Sequence, residues 1–274
     1  MEDSKTINYT KKVVENTPAD WLKLTTHRLD IYNEDLAKTE FLEKFEGLYD
    51  SQNAENAALS ELPTAYDYIR LGHPLSSVLE WTIAKLNGLK PDNVISFASK
   101  TIPILAVLRK NLFDGKNTRV VYSGNIPESF DAETVKSVYG YHFELKKVNN
   151  LEEIEAFDGS TVFISQNDDL NNISLQQNID FFISTQGKLG SILLVNGKEN
   201  ESYISAIQHV RRRETIAMTP PNCYTLLQNM IGAPSNDDET SNLETNKAKV
   251  LKAIKEITAT DTTALLGSCG LSAQ

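Results

Sequence analysis

Cysteine is scarce in this sequence. Cys223 and Cys269 are the only two, too few and too far apart for a disulfide framework or a zinc site. The histidines (His27, His73, His142 and His209) are scattered, without the spacing of metal ligands. No stretch reaches the roughly 18 uncharged apolar residues that a membrane-spanning helix needs. Residues 1–20 carry Lys, Glu and Asp throughout and no apolar run, so no signal peptide is expected. The expected compartment is the cytoplasm, or cytoplasm and nucleus. Positive charge is also in deficit: 27 Lys and Arg stand against 37 Asp and Glu, a formal charge of −10. Such a surface repels phosphates, so neither nucleic acid nor an anionic membrane is an expected partner. The single basic cluster, Arg211-Arg212-Arg213, reads as the solvated end of a helix. Residues 110–115 hold no phosphate loop, no Gly-x-Ser-x-Gly surrounds Ser99 or Ser184, and there are no internal repeats.

What is present is an ordinary core-forming chain: 40% of its 274 residues are hydrophobic, enough for one large domain with or without an appendage. Its first sixty-odd residues are charged, with scattered anchors such as Trp21, Phe41 and Phe45. Apolar residues at 36, 41, 45 and 48 predict a helix over 32–48, capped by Asn33 or Asp35 and helped to its end by Gly47. Residues 50–62 are small and polar and read as a linker or exposed loop. These features divide the chain into an N-terminal extension (1–62), a large domain (63–235), and a C-terminal helix with a flexible tail (236–274).

From Pro74 a regular alternation begins. Val78, Leu79, Thr82, Ile83 and Leu86 form a helical stripe that Gly88 ends. Short apolar runs at 94–97, 119–122, 142–148, 161–164, 179–183 and 192–195 predict strands. Residues 101–112, 131–139, 151–157, 200–212, 221–232 and 243–257 predict helices. Continuous apolar strands between helices imply an α/β fold with a mostly parallel sheet covered on both faces.

The string Tyr68-Ile69-Arg70-Leu71-Gly72-His73-Pro74, followed by Leu79-Glu80 and Gly88, resembles a Tyr-x-Arg-x-Gly-x-Pro segment and its leucine–glutamate helix. Ser96-Phe97-Ala98-Ser99 resembles a Phe-Ala-Ser-Gly-Met turn between strand and helix. Residues 205–230, with Thr219-Pro220 at a turn, resemble the helix–turn–helix that ends a large domain. Together these strings resemble the Cys/Met-metabolism family of pyridoxal-phosphate enzymes, the cystathionine synthases and lyases and acyl-homoserine sulfhydrylases. The resemblance spans about residues 64–258. It implies a fold-type I aminotransferase-like large domain, with the small C-terminal domain largely missing. It also implies a dimer, either of two copies or with an intact family member.

The resemblance further implies a cofactor site, which chemistry constrains. A lysine must form the Schiff base, a carboxylate must face the pyridine nitrogen, and a helix N-terminus must hold the phosphate. On the family pattern Ser99 and Ser184 would hold a vestigial phosphate site, with Tyr68 and Arg70 reaching across the dimer to a neighbour's phosphate. The family glycine after Ser99 is Lys100 here, and Thr101 replaces the methionine. The stacking tyrosine falls near Pro127. The stretch that ends in the ring-facing aspartate is deleted: residues 166–170 run almost directly into 175–179. Asp168, Asp169 and Asp180 remain nearby, and none is expected at a strand end with the family neighbours. Gln186 follows Ser184-Thr185 where the lysine belongs. Lys188 is either a displaced Schiff-base lysine or an ordinary loop residue. No arginine follows Arg213 to bind a substrate carboxylate.

Two functions follow from this pattern. One is a non-catalytic pseudoenzyme acting as an interaction, scaffold or regulatory subunit, with no cofactor expected. The alternative is an active pyridoxal-phosphate C–S lyase or γ-replacement synthase that uses Lys188.

Overall fold

The computed structural model describes residues 2–23, 34–63, 69–234, 243–260 and 264. Tyr68, Cys269, the Asn33 cap and most of the C-terminal tail therefore lie outside the described residues. The chain runs through α1 (Glu2–Glu15), α2 (Glu34–Asp50), α3 (Asn56–Ser60), α4 (Pro74–Leu86), β1 (Val94–Phe97), α5 (Ile102–Asp114) and β2 (Thr118–Tyr122). It continues through α6 (Ala132–Tyr139), β3 (Glu144–Lys147), β4 (Ser160–Gln166), β5 (Phe181–Gln186), β6 (Gly190–Val195), α7 (Ile204–Glu214), α8 (Pro220–Met230) and α9 (Leu243–Thr258).

The sheet is mixed and mostly parallel, as the apolar runs imply, in the order β1-β6-β5-β4-β2-β3. Strands β3, β2, β4 and β5 run parallel, and β6 lies antiparallel to both β5 and β1. Alternate side chains serve two cores. Val121, Phe163, Phe182, Ile192 and Leu194 pack with α1, α2, α4 and α8. Val120, Val162, Phe181, Ile183 and Leu193 pack with α5, α6 and α7. One contact sets how closely β6 approaches β1: a Cβ on Gly190 would stand 2.2 Å from the Phe97 carbonyl oxygen, at a φ of +132°. Only glycine serves there.

Several boundaries differ from the sequence expectation. Gly47 does not help end α2, because its φ is not positive and the buried Tyr49 carries the helix on to Asp50. The stretch 50–62 is no plain loop, since buried Ala54 and Leu59 anchor α3 to the core. The acidic helix expected over 151–157 is one 3-10 turn, Leu151–Glu153. Ile154 then turns extended to bury itself in the core. Helix α7 starts at Ile204, after a 3-10 segment from Lys198 to Tyr203.

The charged N-terminal residues contribute an aromatic knot. Tyr9 of α1 and Phe45 and Tyr49 of α2 surround Trp81 of α4, mostly edge to face, with centroids 5.1–6.4 Å apart. Such edge contacts align ring quadrupoles favourably. Tyr9 also donates its hydroxyl to the Asn53 carbonyl at 3.0 Å. The described residues of this stretch, 2–23 and 34–62, thus share one core with α4 and α8.

The basic cluster is not simply a solvated helix end. Arg211 is buried, and its guanidinium donates to Glu80 Oε1 at 3.0 Å, to the Ser96 carbonyl at 3.0 Å and to the Leu71 carbonyl at 2.6 Å. Lys38 donates to the other Glu80 oxygen at 2.9 Å, and the Ser96 N–H and hydroxyl complete the shell. Burial alone would raise the Glu80 carboxyl, but Lys38, Arg211 and the Ser96 N–H together hold it down at about 2. This cluster ties α2, α4, β1 and α7 together. The sequence periodicity misses it because Arg211 lies on the inward face of an otherwise basic turn.

His73 is the second polar pin. Its Nδ1 accepts from the Ser76 N–H, capping α4, while its Nε2–H donates to the Met218 carbonyl at 2.7 Å. That arrangement requires the neutral ring, and burial lowers its pKa from 6.5 to about 4. Among the described residues, no helix is long and apolar enough to cross a membrane.

Candidate functional site

Parallel strands usually need a crossover helix between them. The β4–β5 pair has none: residues 167–180 cross in irregular conformation. Leu170, Ile173 and Ile179 hold this crossover by burying themselves beneath it. Its polar residues are left along a cavity of about 740 Å³ at the carboxyl ends of β2, β3 and β4. Crevices outside the carboxyl ends of parallel strands are the usual ligand sites of α/β sheets. The aromatic rings of Phe163 and Phe182, 5.4 Å apart, line the apolar part of this one.

Asp168 is the best-organised group in the cavity. It lies two residues beyond the end of β4, and its Oδ2 accepts hydroxyl hydrogen bonds from Ser165 and Ser184, both at 2.5 Å. These two serines sit in register on β4 and β5. Among the described residues, none donates to Oδ1. The helix-free crossover folds Asp168 back onto the strand that carries Ser184. The short, helix-free crossover of residues 167–180 brings the acid close.

Gln186 ends β5 with only 8% of its surface exposed. Its amide donates to Ser184 Oγ at 2.6 Å and, more weakly, to the Asp168 carbonyl at 3.4 Å. Lys188 lies two residues on, exposed at the tip of the β5–β6 hairpin, where the Leu189 N–H closes the turn onto the Gln186 carbonyl. It does not line the cavity. Lys100 is exposed and Pro127 is buried, and neither lines it.

Three of the four residues expected at a phosphate site, Arg70, Ser99 and Ser184, are among the described residues. Ser184 shares its sheet face with Phe182 and gives its hydroxyl to Asp168. Ser99 caps α5, on the opposite face, by accepting the Thr101 and Ile102 N–H groups at 3.2 and 3.1 Å. Arg70 is half-buried in the approach to α4, beside Ile69, whose carbonyl takes the Ala217 N–H. Tyr68 is outside the described residues.

The start of α5 has no N–H to spare for a phosphate. The first two are taken by Ser99, Pro103 has none, and the Ile104 and Leu105 N–H groups go to the Thr101 carbonyl. Pro103 is the sequence signal that marks this in advance. None of the described residues lining the cavity is Lys, Arg or His, while Asp168, Asp169 and Glu152 all are lining residues. Pyridoxal phosphate brings an aldehyde that needs an amine and a dianion that needs donors or cations. These residues do not fit it. Among the described residues, no group of three or more His, Cys, Asp and Glu is placed to hold a metal ion.

The fold and site thus define an α/β protein with helices on both sheet faces and an acidic, aromatic-lined cavity at the strand ends. No family model matches the chain, and no curated protein matches it. Among solved structures it is similar to metB from Corynebacterium glutamicum, with 14% identity over 94% of this chain and 70% of that one, at a TM-score of 0.44. It is also similar to cystathionine gamma-lyase from yeast, with 11% identity over 81% of this chain and 62% of the yeast chain, at a TM-score of 0.46. A putative O-acetylhomoserine (thiol)-lyase from Campylobacter jejuni shares 15% identity over 76% of this chain and 64% of its own, at a TM-score of 0.37. The chain spans less than two thirds of the yeast and Campylobacter proteins.

Proposed function

We propose that this chain is a non-catalytic relative of the Cys/Met-metabolism pyridoxal-phosphate enzymes, acting as a binding or regulatory subunit. The observation that carries the reading is Gln186. The position after Ser184-Thr185, where the family pattern puts the Schiff-base lysine, holds a buried amide committed to Ser184. Removing an essential nucleophile costs many orders of magnitude in rate, because such groups act as a unit. The closed N-terminus of α5 supports the same reading. The family strings at 68–88, 96–99 and 205–230 support the kinship, and with it pairing through a family-type dimer surface, either with itself or with an intact relative.

One observation favours the alternative of an active C–S lyase or γ-replacement synthase: Asp168 stands at a strand end beside Ser184. That reading requires Lys188 to leave the hairpin tip and enter the cavity. Absorbance spectroscopy of the purified chain with added pyridoxal phosphate separates the two. No internal-aldimine band is expected. A band that disappears in Lys188→Ala would overturn the non-catalytic reading.

A further inference from the structure

We propose that the cavity beside Asp168 binds a small arylalkylamine as its ammonium form. This rests on the reading of the site as non-catalytic, and it names what the site would take in place of the cofactor. Three features carry it. The first is shape: at about 740 Å³ the cavity is of ligand-binding size, and Phe163 and Phe182 offer it ring surface. An aromatic ligand body matches those rings by offset or edge contact.

The second feature is charge. Asp168, Asp169 and Glu152 lie on the lining, none of the described lining residues is cationic, and the whole chain carries a formal charge of −10. A carboxylate on the ligand would be repelled, so an amine without an acid is favoured over an amino acid. The third is organisation. Asp168 is held at Oδ2 by two serine hydroxyls, while none of the described residues donates to Oδ1. An ammonium group with its three donors would supply that bond and leave others for the amides of Asn149 or Asn172 on the lining. A metal ion is the poorer occupant, because no three such ligands converge among the described residues.

The test compares three probes that differ only in their polar end: phenethylamine, phenethyl alcohol and phenylacetate. Titration calorimetry on the full chain at low salt should show the amine binding about tenfold or more tightly than the alcohol, with phenylacetate weakest. Amide and aromatic NMR shifts should localise to Phe163, Phe182 and the 167–176 crossover. Asp168→Asn should erase the preference for amine over alcohol. If that variant does not fold, the double variant Asp169→Asn, Glu152→Gln on exposed positions decides. It should keep alcohol binding and cut the amine preference several-fold. Equal binding of amine and alcohol, tighter binding of phenylacetate, or shifts confined to another surface would each overturn the proposal. Failure of the non-catalytic reading would be seen separately, as the aldimine band lost in Lys188→Ala.

Discussion

At the scale of single residues, Glu80 and His73 set how the fold responds to acid. The Glu80 carboxyl is 2% exposed and balances two buried cations. Replacing it by Gln takes the buried counter-charge from Arg211 and leaves Lys38 its ion pair with the more exposed Asp92 at 3.4 Å; removing one partner of a buried pair costs about 3–5 kcal/mol. Urea unfolding of Glu80→Gln measures this directly. The pH dependence has a definite sign. Burial holds His73 at about 4 in the folded chain against its ordinary 6.5, so the unfolded chain takes up its proton first. Its contribution is full above pH 6.5 and is lost as pH falls toward 4. Glu80 adds a second loss between its ordinary 4.5 and about 2. Over its full range the His73 shift corresponds to roughly 3 kcal/mol. The urea midpoint should therefore be higher at pH 7 than at pH 4. His73→Asn, which keeps a capping side chain without a titrating ring, should flatten the part of that slope above pH 4.5.

At the scale of elements, helices α1 and α9 make opposite predictions although both are charged in sequence. Helix α1 buries Tyr9, Val13 and Val14 against α4. Tyr9→Ala should cost about 3–5 kcal/mol, as large aromatic truncations in cores do. Helix α9 leaves Val250 and Ile257 exposed. Val250→Ala should change stability by no more than about 0.5 kcal/mol. Chemical denaturation of the two variants side by side checks both. Helix α5 depends on a cap that lies three residues before its first helical residue. Ser99→Ala removes the acceptor for two N–H groups and should lower stability by about 1 kcal/mol. Were Ser99 instead reserved for a ligand phosphate, the ligand-free protein would not notice the change.

At the scale of the whole molecule, the two cores meet across one sheet, and the buried ion cluster crosses from one side to the other. Arg211 comes from α7, which packs on α5, yet it bonds to Glu80 of α4 on the opposite face. The N-terminal helices are thereby tied to the same cooperative unit as the sheet. Proposed pairing with a second copy has a simple readout in light scattering: twice the chain mass of 30.6 kDa is expected. A value at 30.6 kDa that persists at high concentration would remove self-pairing and leave pairing with a relative as the remaining form of the proposal.

Local order was legible in the residues alone. Pro74 with Gly88, the apolar runs at 94–97 and 192–195, and Asp131 before its helix each act through neighbours a few positions away. Gln186 in place of a lysine, and Pro103 at the start of α5, are likewise readable without a structure. Three decisions belonged to the tertiary structure. Arg211 is buried because α7 turns that one face of a basic triplet toward Glu80, a partner 131 positions away. Gly190 is required because β1 passes against it. Asp168 becomes the centre of the cavity because a crossover too short for a helix folds it back onto Ser165 and Ser184. Each depends on partners that sequence spacing does not bring together. The deficit of positive charge was visible from the start, but which acid would face the cavity was fixed only when the strands paired.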